Sequence, residues 1–356
     1  MEIQAATEAI MPKANVVGVG IGYKTQNGEI VRDSEGNPIQ CIVVSVARKV
    51  ALETLSVADR VPEMFMDEPT DVIETGPISV ISELPGAVAV NPRERIRPIQ
   101  PGISTGLNPG VTAGTIGLLV RKSGDPNTYM LSNWHVIAAN NVSVNERDVV
   151  TITQPGNFDG GRTPDDVIAL LSDFVPIKSG SGGGGAPSGC GTAAAVAWLP
   201  NLIASAVGSN TRLVPMSAAV PEMEGNLVDA ALARLTVDEF DLALPEIGQV
   251  TGTGEPTLGM RVQKFGRTTD FTVGTITQVN ATFEVSGYPN GNATFTNQVA
   301  MTADSGPFLQ GGDSGSSLIS EDNKMVGLCF AGSNTIGIAN TWENVASLLN
   351  ISPIFS

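Results

Sequence analysis

Hydrophobic residues and glycines alternate strictly from Val16 to Lys24, in the run VVGVGIGYK. A period of two predicts a β-strand with hydrophobic side chains on one face and only Gly18, Gly20 and Gly22 on the other. Nucleotide-binding loops have similar glycine spacing, but no helix start or Lys-Ser/Thr pair follows to form a phosphate cradle. We therefore expect a neighbouring element to pack closely against the bare face.

A small α/β unit is predicted around this strand. The turn cluster DSEGNP at 33–38 precedes a second predicted strand, IQCIVVSVA, at 39–47. The stretch Val50–Val61 predicts a short helix ended by Pro62, and DVIETG at 71–76 closes the unit. These elements predict an α/β accessory domain over residues 1–90.

The segment from residue 83 to residue 110 contains five prolines and no sustained hydrophobic periodicity. This composition is typical of an interdomain connection. We therefore place a boundary near residue 90 and a Pro-rich linker over residues 91–112.

Short strand-like runs recur from Gly114 onward. Their sequences are TIGLLVR, TYMLSNWHVIA, LVDAALARL, MRVQKFG, GTITQV, NQVAMT, SSLIS and MVGLCFAG. So many strands predict two packed barrels or sandwiches over residues 113–356. A Gly-, Ser- and Ala-rich stretch at 179–195 and a predicted helix over Val196–Ala206 form an insertion near residues 176–222. The predicted fold class is mainly β, with a small α/β N-terminal domain.

Composition and charge exclude several classes of function. The chain has 356 residues and a net charge of −16, and no Lys/Arg cluster with interleaved aromatic residues, so nucleic acid is not an expected partner. The first residues lack the basic region of a secretory signal, and no apolar run has the length of a membrane span. We expect a cytoplasmic protein with no membrane partner.

Cys41, Cys190 and Cys329 are widely spaced and form no C-x-x-C pair. This spacing indicates neither a disulfide framework nor a zinc site, and we expect buried reduced thiols. No metal and no cofactor are predicted.

Three short sequences carry the residue types that serine-dependent acyl transfer needs: LSNWHVIA around His135, NLVDAALARL around Asp229 and QGGDSGSSLIS around Ser314. The reaction requires a base near the hydroxyl, a carboxylate that fixes the imidazole tautomer, and N–H groups aimed at the oxyanion. The chain contains a single histidine, so a Ser-His hydrolase has only His135 as its base. Glycines around Ser314 let the N–H groups of Gly312 and Ser314 point at one spot.

The carboxylate has rivals between His135 and the nucleophile. Asp165, Asp166 and Asp173 also lie in that interval. Asp229 is favoured because it lies in an otherwise apolar strand-like run, where a buried carboxylate needs a partner such as the imidazole.

These motifs resemble the trypsin-like peptidase superfamily: SNWHV resembles its histidine motif, VDAALARL its aspartate strand and GGDSGSSL its nucleophile turn. The order His, Asp, Ser also agrees. NVVGVGIGYK, ITQPGNFDGGRTPDD, KFGRTTDFTVGTI and VGLCFAGSNTIGIAN resemble, more narrowly, a bacterial group related to the plant NARROW LEAF protease. The resemblance implies two six-stranded β-barrels, with His135 and Asp229 in the first and Ser314 in the second.

The resemblance also implies a protein or peptide substrate. Phe330, Ala331 and Gly332 would line the primary specificity pocket, with Phe308 near its base, and the lack of a carboxylate there indicates apolar or small side chains before the scissile bond. KFGRTT resembles an opening strand of the second barrel, and Arg267 is given no chemical role.

Two questions stay open at the level of sequence. Asp313, next to the nucleophile, needs a partner, for which Arg93, Arg95 and Arg97 of the linker are candidates. The N-terminal unit either docks on the barrels, restricts access or mediates self-association into a homo-oligomer. A serine endopeptidase is the favoured function, and a protease-fold scaffold without activity and a serine esterase are the alternatives.

Overall fold

The computed structural model of the chain describes residues 3–80, 91–108, 110, 112–138, 149–179, 225–289 and 291–355. The predicted insertion, apart from residues 176–179, lies outside the described residues, as do the helix predicted over Val196–Ala206 and Cys190. The proposed boundary near residue 90 also lies at the edge of an undescribed stretch, so the division into domains stays a prediction.

The N-terminal part holds one helix and six strands. Helix α1 spans Ile3–Ile10, and the strands are β1 Val16–Tyr23, β2 Thr25–Gln26, β3 Glu29–Ile30, β4 Gln40–Val46, β5 Met64–Phe65 and β6 Glu68–Glu74. The two strands predicted from VVGVGIGYK and IQCIVVSVA are therefore confirmed.

The helix predicted over Val50–Val61 is wrong. Two 3-10 turns stand there instead, Leu52–Thr54 and Val57–Asp59. Neither turn contains a buried residue. A helix this short is stable only when it buries an apolar face, and neither turn buries one.

The rest of the chain is almost entirely strands. The next are β7 Ser104–Asn108, β8 Gly114–Thr115, β9 Leu119–Lys122, β10 Thr128–Ser132, β11 Thr151–Thr153, β12 Val167–Phe174 and β13 Ala231–Leu235. Then come β14 Ala243–Leu244, β15 Gly248–Gln249, β16 Gly252–Thr253, β17 Arg261–Gly266, β18 Asp270–Tyr288, β19 Gly291–Ala303, β20 Ser317–Ser320, β21 Lys324–Gly332, β22 Gly337–Thr341 and β23 Ile351–Pro353. Helix α2 spans Trp134–Ile137, helix α3 spans Trp342–Leu349, and a 3-10 turn spans Asn157–Asp159.

Two large sheets organise the described residues. The first has the strand order β23-β9-β10-β13-β12-β11-β7-β8. The second has the order β17-β20-β21-β22-β19-β18-β1-β4-β6-β5, with β16 beside β21 and a further pairing between β17 and β18. The fold class predicted from sequence, mainly β with an α/β N-terminal part, is confirmed.

The N-terminal strands extend the second sheet. Strand β1 pairs antiparallel with the long strand β18, with Gly18 opposite Phe283. The glycine face makes this approach close, since a Cβ added to Gly20 would lie 2.7 Å from the Ala281 Cβ and 2.9 Å from Gln278 Oε1. The neighbour expected against the bare face of β1 is therefore β18.

A shared core holds the two sheets together. Val120 and Leu131 of the first sheet, and Leu118 just before β9, pack with Phe265 and Leu328 of the second sheet. Trp342 and Val345 of α3 close the same cluster. Within the described ranges, no helix combines the length and apolar character needed to cross a membrane.

Candidate active site

His135 stands on the short helix α2, directly after strand β10 of the first sheet. Val136 and Ile137 are buried and anchor this helix, while 15% of the His135 side chain is exposed. Trp134 and His135, the first two residues of this helix, stay partly exposed.

Asp229 lies two residues before strand β13, in the same sheet, and is fully buried. Its Oδ2 lies 2.6 Å from His135 Nδ1, and its Oδ1 accepts the His135 backbone N–H at 3.2 Å. When Nδ1 carries the proton it shares with Asp229, Nε2 is left as the acceptor, which is the tautomer a general base needs.

The backbone around Asp229 is held from two further sides. Asn133 Nδ2 donates to the Asp229 carbonyl at 2.7 Å, and the Asp229 N–H donates to Asn340 Oδ1 at 3.0 Å. Asn340 Nδ2 in turn donates to Gln298 Oε1 at 2.7 Å. This chain of amides fixes the aspartate to strands β22 and β19 of the second sheet.

Tyr288, at the end of β18, is a site residue that sequence reasoning missed. Its hydroxyl donates to Asp229 Oδ2 at 2.5 Å. Burial, reinforced by the negative charge of Asp229, raises the pKa of the Tyr288 phenol well above its ordinary value, so the hydroxyl stays protonated and donates. The Tyr288 ring meets the His135 ring edge-on, with centroids 6.2 Å apart.

Ser314 lies in the turn just before β20, on the second sheet, and is 5% exposed. Its hydroxyl donates to the Phe330 carbonyl at 3.3 Å, and its own carbonyl accepts the Thr115 N–H at 2.8 Å. An added Cβ at Gly114 would lie 2.6 Å from the Val136 side chain and 2.8 Å from the Ser314 carbonyl oxygen. The helix that carries His135 and the turn that carries Ser314 therefore meet across Gly114.

Hydrogen bonds to two carbonyl oxygens of this turn fix the orientation of its peptide groups. Thr268 Oγ1 donates to the Gly311 carbonyl at 2.5 Å, and the Ser316 N–H donates to the Asp313 carbonyl at 2.9 Å. In a trans peptide the N–H points opposite to the C=O, so the N–H groups of Gly312 and Ser314 are turned away from these anchors. Among the described residues, neither N–H has a hydrogen-bond acceptor. Gly312 adopts a φ of 97°, a conformation that favours glycine.

The Asp313 carboxylate accepts hydrogen bonds from the turn between β17 and β18 of the second sheet. Its Oδ1 accepts the N–H groups of Thr268 and Thr269 at 2.8 and 3.1 Å, and its Oδ2 accepts Thr269 Oγ1 at 2.7 Å. Lys264 Nζ lies 3.9 Å from Oδ2, and both side chains are fully buried. Burial lowers the pKa of Lys264, and the Asp313 carboxylate opposes that shift.

The linker arginines considered as partners of Asp313 have other partners. Arg93 Nε donates to the Arg267 carbonyl at 3.4 Å, Arg95 Nε pairs with Asp166 at 2.9 Å, and Arg97 Nη2 donates to the Gln154 carbonyl at 3.2 Å. The suggestion that one of them holds Asp313 is therefore wrong, because the β17–β18 turn already supplies the donors.

Arg267 lies behind the turn of Ser314 and is almost fully buried. Its Nε donates to Asp159 Oδ2 at 2.7 Å, and its guanidinium lies 5.5 Å from the centroid of the Phe158 ring. A Cβ added to Gly312 would fall 2.9 Å from Arg267 Cδ. Arg267 thus connects the turn of Ser314 to Asp159, a contact that the motif KFGRTT alone did not reveal.

The rival carboxylates are occupied elsewhere or open to solvent. Asp166 pairs with Arg95, Asp173 Oδ2 lies 2.5 Å from Lys122 Nζ, and Asp165 is exposed. Asp229 is the candidate that contacts the imidazole.

The residues predicted to bind substrate fall in two clusters. Phe330 and Ala331 pack with Tyr288 and Phe295, whereas Phe308 packs inside the second sheet with Met301 and Leu309. A cavity of about 500 Å³ opens beside Gly332, lined by residues 309–311, 332–335, 74–77 and 79. It adjoins the turn that leads to Ser314.

No grouping of His, Cys, Asp and Glu side chains in the described residues has the form of a metal site. Burial raises the pKa of the Cys41 and Cys329 thiols to about 12. Both thiols therefore stay protonated at neutral pH and lack the thiolate that a nucleophile or ligand requires.

No protein-family model matches the chain, and no curated protein matches it. The chain is similar to the solved structure of Thermobifida fusca protease A, with 17% identity and a TM-score of 0.43 over 72% of this chain and 99% of that one. It is also similar to the Nocardiopsis protease, with 15% sequence identity and a TM-score of 0.42 over 72% of this chain and 99% of that one. A third similar structure is a glutamic acid-specific serine protease that uses a histidine triad in substrate binding. Its sequence identity is 15% and its TM-score 0.41, over 72% of this chain and 100% of that one. These neighbours are bacterial chymotrypsin-like serine proteases.

Proposed function

We propose that the chain is a serine endopeptidase in which Ser314 is the nucleophile, His135 the general base and Asp229 the orienting carboxylate. The observation that carries the proposal is the 2.6 Å contact between His135 Nδ1 and a buried Asp229 carboxylate, on a helix that meets the Ser314 turn across Gly114. A buried carboxylate is costly unless it is paired, and this one is paired with the single histidine of the chain.

The reaction divides into two acyl transfers. Ser314 Oγ leaves its 3.3 Å hydrogen bond with Phe330, gives its proton to His135 Nε2 and attacks the scissile carbonyl carbon. The carbonyl oxygen takes the electron pair and accepts the N–H groups of Gly312 and Ser314. His135 returns the proton to the leaving amine as the C–N bond breaks. Water then gives a proton to His135 and adds to the acyl carbon, the ester bond to Ser314 Oγ breaks, and His135 returns the proton to Oγ as the carboxylic acid leaves.

Substrate selection follows from the same surface. Phe330 accepts the Ser314 hydroxyl, Ala331 and Gly332 follow it along β21, and Phe308 packs inside the second sheet with Met301 and Leu309. None of these residues is charged, so the proposed preference is for apolar or small side chains before the scissile bond. The narrower relationship to the bacterial group akin to the NARROW LEAF protease, and a homo-oligomeric assembly, belong to the same proposal.

Active-site labelling tests the proposal directly. A fluorophosphonate probe should label the wild-type chain, and Ser314→Ala and His135→Ala should lose the label. Ser305→Ala is the matched control, because Ser305 lies in a second Asp-Ser-Gly sequence, and it should label normally. A folded wild-type chain that resists the probe would show a protease-fold scaffold, whereas turnover of esters without turnover of peptides would show an esterase.

A further inference from the structure

The segment from Thr75 to Val80, here called the strap, follows β6 and crosses the end of strand β21. Thr335 Oγ1 donates to the Thr75 carbonyl at 3.0 Å and fixes the start of the strap. At its other end Ser79 pairs antiparallel with Gly332. The strap therefore passes from the N-terminal strands directly onto the proposed substrate-binding residues.

The pairing at Gly332 uses both of its main-chain groups. The Ser79 N–H donates to the Gly332 carbonyl at 3.2 Å, and the Gly332 N–H donates to the Ser79 carbonyl at 3.1 Å. On the opposite side, the Ser286 N–H donates to the Ile78 carbonyl at 3.1 Å, and the Val80 N–H donates to the Ser286 carbonyl at 3.0 Å. The strap is thus a short strand inserted between β21 and β18.

The edge that the strap occupies leads to the nucleophile. Gly332 follows Phe330 by two residues in β21, and the register of β21 against β22 shifts between Cys329 and Ala331, so the strap pairs with β21 just beyond this irregularity. The Phe330 carbonyl accepts the Ser314 hydroxyl at 3.3 Å. An extended peptide that docks as an added strand on this edge, with its scissile carbonyl near Ser314, needs the same groups of Gly332 that Ser79 now uses.

The side chains of the strap favour this position. Ile78 is 2% exposed and lies in the cluster of Phe330, Phe295 and Tyr288. Val80 packs on the backbone of Gly287, where an added Cβ would fall 2.5 Å from its Cγ2. The strap is therefore held by a buried anchor as well as by hydrogen bonds.

From this geometry we infer that the strap is an intramolecular competitor of extended substrates at the edge of β21, an inference that rests on the proposed endopeptidase function. Peptide binding requires displacement of Ser79 from Gly332. The apparent affinity for extended peptides is therefore the intrinsic affinity multiplied by the fraction of molecules whose edge is free. A reagent small enough to react at Ser314 without reaching Gly332 does not meet this competition.

Loosening the strap tests the inference. Ser79→Pro removes the N–H that bonds Gly332, and Ile78→Ala removes the buried anchor while it leaves the main chain intact. Ser79→Ala is the matched control because it keeps both hydrogen bonds. Each is measured for fluorophosphonate labelling and for kcat/KM on peptides with at least four residues before the scissile bond.

We expect Ser79→Pro and Ile78→Ala to raise kcat/KM for the long peptides by about fivefold or more, mainly through KM, the scale of one lost hydrogen bond. Their labelling rates should match those of the wild type and of Ser79→Ala. Normal labelling with unchanged peptide kinetics in the loosened variants would overturn the inference, since the strap would then be a fixed wall of the cleft. Absence of labelling in every chain would instead overturn the proposed function, and the inference with it. If Ser79→Pro does not fold, Ile78→Ala decides.

Discussion

The Tyr288 hydroxyl donates to Asp229 Oδ2 at 2.5 Å, although Tyr288 ends β18 of the second sheet and Asp229 lies just before β13 of the first. Asp229 also receives His135 from its own sheet, so this carboxylate is a point where both sheets meet. Its position, and with it the orientation of the imidazole, therefore depends on how the two sheets pack.

Tyr288→Phe removes this hydroxyl and keeps the ring. A hydrogen bond to a charged group contributes about 1.5 to 3 kcal/mol, so we expect kcat/KM for a peptide to fall by roughly 10- to 100-fold. Tyr129→Phe is the control, because Tyr129 bonds Asp125 at 2.8 Å away from the site. Equal kcat/KM in the two variants would show that the Tyr288 hydroxyl does not contribute to catalysis.

Substitution of Thr268 tests whether the orientation of the Gly312 N–H matters for catalysis. Its Oγ1 holds the Gly311 carbonyl at 2.5 Å and so sets the direction of the next N–H. Thr268→Val should lower kcat by about tenfold or more, since loss of one oxyanion donor costs on the order of 100-fold, while KM changes little. Thr268→Ser keeps the hydroxyl and should restore the rate. A valine variant with normal kcat would mean that the turn holds its shape without this bond.

The sequence predicted much of this arrangement because some signals are local. Strands such as β1 and β21 have strong apolar patterns, and the single histidine leaves one choice of base. The preference for Asp229 over Asp166 and Asp173 followed from the apolar run around it, a burial argument that needs no tertiary contact.

Other features depend on contacts between distant parts of the chain. Tyr288 stands near the tip of a long hairpin, and its partner 59 residues away could not be read from its neighbours. Arg267 received no role because the motif around it reads as a strand end, whereas its partner Asp159 lies 108 residues away. The strap was equally hidden, since nothing within its own sequence indicates pairing with Gly332.

Asp270 gives the protein a pH-dependent stability. Partial burial raises the pKa of its carboxyl to about 6, an effect that Lys264 opposes and Asp313 reinforces. The folded state then binds this proton more tightly than the unfolded state, in which the carboxyl has its ordinary pKa of 3.8. The contribution of Asp270 is therefore most favourable below about pH 4, declines as the pH rises to about 6 and is constant above that.

Urea denaturation from pH 4 to pH 8 measures this contribution. Asp270→Asn should be more stable than the wild type at pH 7 and should lose the decline between pH 4 and 6, while the exposed Asp238→Asn should follow the wild type. A decline of the same size in Asp270→Asn would assign it to another group.

The glycine face of β1 makes the seating of the N-terminal strands sensitive to a single methyl group. In Gly20→Ala the new Cβ would lie 2.7 Å from the Ala281 Cβ and 3.2 Å from the Ala281 Cα, so β1 and β18 must separate. Overpacking of this kind costs about 1 to 3 kcal/mol, and we expect that loss in the free energy of unfolding from urea titration. Gly252→Ala is the matched control in strand β16, where the nearest atom is 3.7 Å away, and it should stay within about 0.5 kcal/mol of the wild type. Equal stability of the two variants would mean that the N-terminal strands tolerate a wider gap from β18, and that their contact with the long hairpin contributes little to the fold.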